Sequence, residues 1–223
     1  MTDGRMFEPY IIPHGITGLS FFVANEQGED WYAPLKQYTL LEYEWVRDNV
    51  KMPGVVIDAG CHHGNYAVVF DHWVYCVDAH SSNCDITKVN LALNRRNGTV
   101  INCAVADHDG EVLFNGQPNG RIGSGRPVES RKLHTICKRA NVVKLDVEGA
   151  EFGILPGAID EMEKVHTWIV EVHPTDGDPH ALTMEFINRG WEVLKVDRDI
   201  MAVVPYAQST GWTSHATIIA RRK

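Results

Sequence analysis

One stretch constrains this chain more than any other: Gly54-Val55-Val56-Ile57-Asp58-Ala59-Gly60-Cys61-His62-His63-Gly64-Asn65-Tyr66. Three β-branched residues run into an acid, small residues and glycines follow, and a helix start comes next. A short apolar run bounded by a turn is the pattern of a buried parallel strand. Gly60 and Gly64 remove side chains where a backbone must turn tightly or approach a ligand. The spacing Asp58-x-Gly60-x-x-x-Gly64 is not the G-x-G-x-x-G of dinucleotide folds, and no Gly-Lys-Ser/Thr follows to make a P-loop. The plain alternative is a buried strand and glycine turn of some other α/β protein.

A second apolar run, Trp73-Val74-Tyr75-Cys76-Val77, also ends in an acid. Asp78 lies 20 positions after Asp58 (78 − 58). In nucleoside-binding α/β folds an acid at the end of the second strand accepts hydrogen bonds from both ribose hydroxyls. A carboxylate suits two donors because it is acceptor-only. The alternative is an exposed strand-end Asp. An acid before the first glycine, with one residue between them, resembles motif I of class I S-adenosylmethionine-dependent methyltransferases. The two acids together favour that reading.

Bulk properties bound the rest. The 223 residues suffice for one large domain, or one domain with a small extension. Hydrophobic residues at 44% and charged residues at 22% are ordinary for a soluble globular protein. A net charge of −8 and only short basic runs, such as Arg95-Arg96, argue against a surface that tracks phosphates. No nucleic-acid partner is therefore expected. No apolar run approaches the length of a membrane span, and Met1 to Arg5 does not read as a signal peptide. Five cysteines without a C-x-x-C read as reduced thiols of a cytoplasmic protein. Eleven histidines form no zinc spacing; Cys61-His62-His63 are expected in a loop beside the cofactor.

Along the chain, Gly15 to Gly18 reads as a turn, residues 19–23 as a strand, and residues 25–30 as an acidic hairpin turn. Leu40, Leu41, Trp45 and Val46 give helical spacing over 38–51, stopped by Pro53-Gly54. Residues 1–53 thus form an N-terminal hairpin and helix extension, either a substrate cap or a helix packed on the sheet edge. Residues 54–223 form the catalytic domain. Asn65 to Phe70 has room for about two helical turns. Ser81 reads as an N-cap, with Ile86, Val89 and Leu93 on one face and Gly98 as the stop. Thr99 to Ala106 is expected as a third strand, and Glu111 to Phe114 returns after a tight turn. Residues 115–127 carry four glycines and two prolines, which implies a mobile loop, as a lid or a plain connection. A helix over 152–163, interrupted near Pro156-Gly157, a strand over 167–173, a helix over 181–189 and strands over 191–196 and 216–220 complete the alternation. That alternation means a doubly wound sheet.

The second chemical stretch is Lys144-Leu145-Asp146-Val147-Glu148-Gly149-Ala150-Glu151. Together with Val56 to Gly60, Asn90, Asn94, Gly157-Ala158 and Glu171-Val172-His173, it resembles the FkbM family of S-adenosylmethionine-dependent methyltransferases. The likeness covers about residues 54–173 and the closing strand. It implies a Rossmann-like class I methyltransferase fold, a mostly parallel seven-stranded sheet with an antiparallel C-terminal strand. It also implies O-methylation of a hydroxyl on a small molecule or sugar. Two positions depart from the family: Cys61-His62-His63 after the first glycine, and Asp78-Ala79 where Glu-Pro is usual. On these readings Asp58, Gly60, Gly64, Asn65, Asp78, Ala79, Asn102, Ala104 and Asp146 are the candidate S-adenosylmethionine-binding residues.

For the chemistry, Glu171 and His173 fall on one side of a strand, because the strand period is two. His173 is the candidate base, since an imidazole can accept a proton near neutral pH. Asp146 sits by resemblance near the methionine part of the cofactor, and Glu148 orients the imidazole or the acceptor. The alternative is that His173 only hydrogen-bonds a neighbouring loop. Asn/Asp-Pro-Pro-Tyr and Pro-Cys, the marks of adenine-amino and cytosine-C5 methylases, are absent. Two further readings stay open. In one, Asp146, Glu148, Glu151, Glu171 and His173 supply ligands to a divalent ion, although their spacing matches no fixed pattern. In the other, the chain binds the cofactor without turnover.

Overall fold

The computed structural model describes residues 7–33, 37–50, 54–212 and 216–222. Expectations placed on Met1 to Arg5, on Pro53 and on the final Lys223 lie outside these residues. The chain opens with a hairpin: β1 (Tyr10–Pro13) pairs antiparallel with β2 (Ser20–Val23) across the turn at Gly15 to Gly18. Residues 25–30 are not a hairpin turn. They begin α1 (Glu26–Tyr32), whose N-cap Asn25 accepts from the Gly28 N–H at 2.8 Å. An Asn cap with Glu26 and Glu29 in the first turn is a helix-start signal, and it outweighs the acidic, glycine-containing composition. Gly28 packs on the His63 ring, where a Cβ would come within 2.8 Å.

Helix α2 (Gln37–Asn49) precedes β3 (Val55–Ala59), α3 (Asn65–Val69), β4 (Trp73–Asp78) and α4 (Ser81–Leu93). Ser81 is the first helical residue of α4 rather than its cap; His80 caps, and its backbone N–H goes to Asp78. Gly98 does not stop α4. It opens β5 (Gly98–Asn102), after a turn in which Arg95 takes φ +51°. The third strand also breaks at Cys103: β6 (Ala104–Val105) leaves for a small sheet with β7 (Gly110–Phe114) and β8 (Arg126–Arg131). Then come α5 (Leu133–Cys137), β9 (Val142–Leu145), α6 (Glu151–Glu161), β10 (Thr167–Val172), α7 (Pro179–Asn188), β11 (Glu192–Asp197), β12 (Ala202–Pro205) and β13 (Ala216–Arg221). Helix α6 runs through Pro156 without the expected interruption. One lost backbone hydrogen bond is offset by burial of Ile154, Leu155, Ala158 and Ile159.

Among the described residues the main sheet has eight strands in the order β12-β11-β13-β10-β9-β3-β4-β5. Neighbours from β10 to β5 are parallel, and β13 is antiparallel to both β10 and β11. This is the doubly wound sheet with an antiparallel C-terminal strand. The additional edge strand β12 extends it beyond seven. Strand alternation sends Ile57, Val143 and Val170 to one face, under α5, α6 and α7. Val56, Val142 and Ile169 go to the other, under Tyr43 and Val46 of α2, the α3 residues Tyr66 and Ala67, and Leu91 of α4. In α4, Asn90 accepts from Phe22 N–H and donates to His63 O, and Asn94 donates to Ser20 O. These amides tie the N-terminal hairpin to the loop after β3. No described helix is long and apolar enough to cross a membrane.

Candidate active site

The carboxyl ends of β3, β4, β9 and β10 meet at one edge, where α/β folds place their ligands. Gly60 ends β3 with φ +76°; its N–H bonds Val77 O at 2.8 Å, while Asp146 N–H bonds Ala59 O at 2.9 Å. A Cβ on Gly60 would lie 1.7 Å from the Asp146 carbonyl oxygen. The glycine is thus required twice, by its left-handed backbone and by the close approach of β9.

Beside these ends lies a cavity of about 690 Å³, within the range of small-molecule and cofactor sites. Gly60, Asp78, Ala79, Ala104, Asp146, Glu148 and His173 of the expected residues line it. Asp58, Gly64, Asn65 and Asn102 do not. Asp58 is buried beside Lys144 in the sheet, and one of its oxygens has no partner among the described residues. Asn102 donates to Asp78 O, and Gly64 caps α3. Asn65 is buried between His14 and Tyr43, so it fixes the N-terminal segment. Trp31 and Tyr32 of α1, His62, Phe114, Arg121, Pro174 and Thr175 also line the cavity. Of these, only His62 was expected near the cofactor. The aromatic pair ending a capped helix was the available signal for α1. Arg121 lies in the glycine-rich stretch expected as a lid or a plain connection, where nothing singled out its side chain.

Asp78 accepts from His62 N–H at 2.9 Å, His80 N–H at 2.8 Å and Asn83 at 3.2 Å. Three donors leave lone-pair capacity on its two oxygens. Burial pushes Asp78 up to about 7, and those hydrogen bonds partly oppose the shift. Burial likewise takes Asp58 to about 7, with Lys144 opposing, and lowers His62 to about 4.

The second wall is charged. Asp146 follows β9; burial would raise its pKa, but Lys144 and His173 hold it below the usual value. Lys144 Nζ lies 3.3 Å from its Oδ2. Glu171 also hydrogen-bonds Asp146, and burial with that neighbouring charge lifts Glu171 to about 8. His173 follows β10. Its Nδ1 and its backbone N–H both meet Glu151 Oε1, at 3.0 and 2.7 Å. Its Nε2 lies 3.5 Å from Glu148 Oε2 and 3.9 Å from Asp146 Oδ1. Burial would lower the imidazole, yet Glu151, Asp146 and Glu148 lift it to about 9. The structure therefore surrounds His173 with acids and gives it a buried partner in Glu151. Glu148 takes φ +53°, a left-handed conformation rare for a non-glycine residue.

The fold and the site define a class I S-adenosylmethionine-dependent methyltransferase. A sequence profile described as "Methyltransferase FkbM domain" matches residues 58–193. The chain belongs to this FkbM methyltransferase family, and its cofactor is S-adenosylmethionine. No curated protein matches it. It is similar in fold to a SAM-dependent methyltransferase from Agrobacterium tumefaciens, with TM-score 0.58, 13% identity, and 99% of this chain and 72% of that chain covered. It is also similar to TYW2 of M. jannaschii in complex with AdoMet, with TM-score 0.52, 15% identity and coverage of 96% and 87%. A tRNA (uracil-54, C5)-methyltransferase of Pyrococcus abyssi has TM-score 0.50 at 10% identity, covering 95% of this chain and 44% of that one.

Proposed function

We propose that this methyltransferase transfers the methyl group to a hydroxyl of a small molecule or sugar, at the cluster of Asp146, Glu148 and His173. The observation that carries the reading is that cluster, facing the cavity from the ends of two adjacent strands. S-adenosylmethionine, when bound, supplies an electrophilic methyl. Gly60, Asp78, Ala79 and Ala104 line the part of the cavity suited to its nucleoside, with Asp78 accepting from the ribose. The acceptor oxygen would form its C–O bond as the C–S bond broke, and the hydroxyl proton would go to the acid cluster. Positioning in line is the main demand on the protein, and proton removal the second.

Asp146, whose carboxylate form Lys144 and His173 favour, faces the cavity and disfavours a polyanionic acceptor. Arg121 does not reverse this, because Asp176 holds it at 2.8 Å. Trp31, Tyr32 and Phe114 offer apolar faces to a sugar or ring. The segment before residue 54 accordingly acts as a cap through α1.

Transfer of labelled methyl from S-adenosylmethionine to a panel of sugars, hydroxylated ring compounds and RNA tests this. Label on a hydroxyl oxygen of a sugar or small molecule is the expected result; label only on RNA or on nitrogen refutes it. His173→Ala should lower turnover roughly 10²-fold or more, because the protonated ring positions the Asp146 and Glu148 carboxylates that take the proton, with cofactor affinity nearly unchanged. Near wild-type turnover in a folded His173→Ala protein removes the residue from the chemistry.

A further inference from the structure

We infer that Asp146, Glu148 and His173 bind one divalent cation of the magnesium or manganese type at the inner end of the cavity. The inference rests on the O-methyl reading only for the cation's role. Binding itself is argued from the donor set.

One ligand atom from each residue lies within 4.8 Å of the others. Ligands about 2.1 Å from an octahedral ion sit roughly 3 Å from their cis neighbours, so small rotations of these side chains close the set. Two carboxylate oxygens and one imidazole are hard and borderline donors, the mixture that suits magnesium and manganese better than soft metals. Three protein ligands leave open positions for water and for an acceptor oxygen.

Two of the three ligands are also held from behind, each by a different partner. His173 Nδ1 is fixed on Glu151, which is fully buried and also receives the His173 and Gly149 N–H groups. A carboxylate behind a ligating imidazole sets the ring's orientation and keeps Nε2 toward the metal. Lys144 engages Asp146 Oδ2, while Oδ1 is the atom that approaches His173. Glu148 is the half-exposed member, and its other cationic neighbour, Arg121, stays 3.9 Å away and is shared with Asp176. At this place a divalent cation would bind an acceptor hydroxyl and make it more acidic. The bond changes then balance as before: the C–O bond forms, the C–S bond breaks to sulfur, the proton leaves to a carboxylate or water, and the metal's oxidation state is unchanged.

The test uses Mn²⁺ alone, titrated into chelator-treated full-length protein without cofactor or acceptor. Electron paramagnetic resonance of free Mn²⁺ and water-proton relaxation read the binding. The expected result is one saturable site. Glu148→Gln should weaken it at least 10-fold, and Glu151→Gln, which touches no metal, roughly 10- to 100-fold. Glu185→Gln, on the outer face of α7 beside Arg189, should change nothing. No saturable site in the wild-type protein overturns the inference. So does equal affinity in folded Glu148→Gln, which is the deciding variant because its side chain is partly exposed and its fold is least at risk. Mn²⁺ binding without methyl transfer to any hydroxyl would count against the proposed function and leave the cation site standing. Methyl transfer without Mn²⁺ binding would do the reverse.

Discussion

At the scale of single residues, the sharpest constraint is the contact between Gly60 and the Asp146 carbonyl. Gly60→Ala adds a left-handed backbone cost of about 1–2 kcal/mol to a steric overlap that only a shift of β9 relieves. The expected outcome is a lowered melting temperature together with loss of S-adenosylmethionine binding, read by thermal unfolding with and without cofactor. A variant that melts and binds like the parent would show that the strand ends are freer than described. Asp58 repays comparison with Gly60. Both belong to the pattern that announced the cofactor, yet Asp58 lies buried in the sheet beside Lys144 rather than on the cavity wall. A pattern records which residue types a turn needs; it does not say which side chains face the ligand and which hold the strand end.

At the scale of elements, residues 115–125 are a structured flap. Phe114 bridges to Ile122, Gly123 N–H bonds Leu113 O, and Arg121 reaches across to Asp176 in the loop after β10. Arg121 is partly exposed, so its pair is worth about 0.5–1 kcal/mol at most. Arg121→Ala should therefore raise the rate of protease nicking within 115–125 only about 2- to 5-fold, and cofactor with acceptor should suppress nicking in the wild-type protein. Equal nicking in every state would make the flap a plain connection. Elements whose signals were periodic were legible: β3, β4, β10 and α2 stand close to where their apolar spacing puts them. The misread ones depended on a single residue in two possible roles. Asn25 could cap a helix or fill a turn, and Gly98 could end a helix or begin a strand. Strands β8 and β12 and helix α5 carried no pattern strong enough to set them apart from loop. Among them β8 needs its long-range partners β6 and β7 to exist.

At the scale of the whole molecule, the charged cluster was legible as a run of acids after β9 and as a His after β10. Their meeting was not, because it follows from the parallel pairing of Ile169 with Lys144 and Val170 with Leu145. The pairing that bears most on the whole is that of β13. It lies between β10 and β11, and Ile218, Ile219 and Ala220 are fully buried. Removing residues 212–223 should abolish the cooperative melting transition, where a change confined to a sheet edge would only lower its midpoint; calorimetry distinguishes the two. Until residues 216–221 arrive, the strand that leads into His173 has an open edge and apolar flanks. On the ribosome, then, a nascent chain already holding every residue of the cofactor cleft is still a template for edge-to-edge pairing. Its native state becomes reachable only once that strand is made, so folding and aggregation compete until β13 docks between β10 and β11.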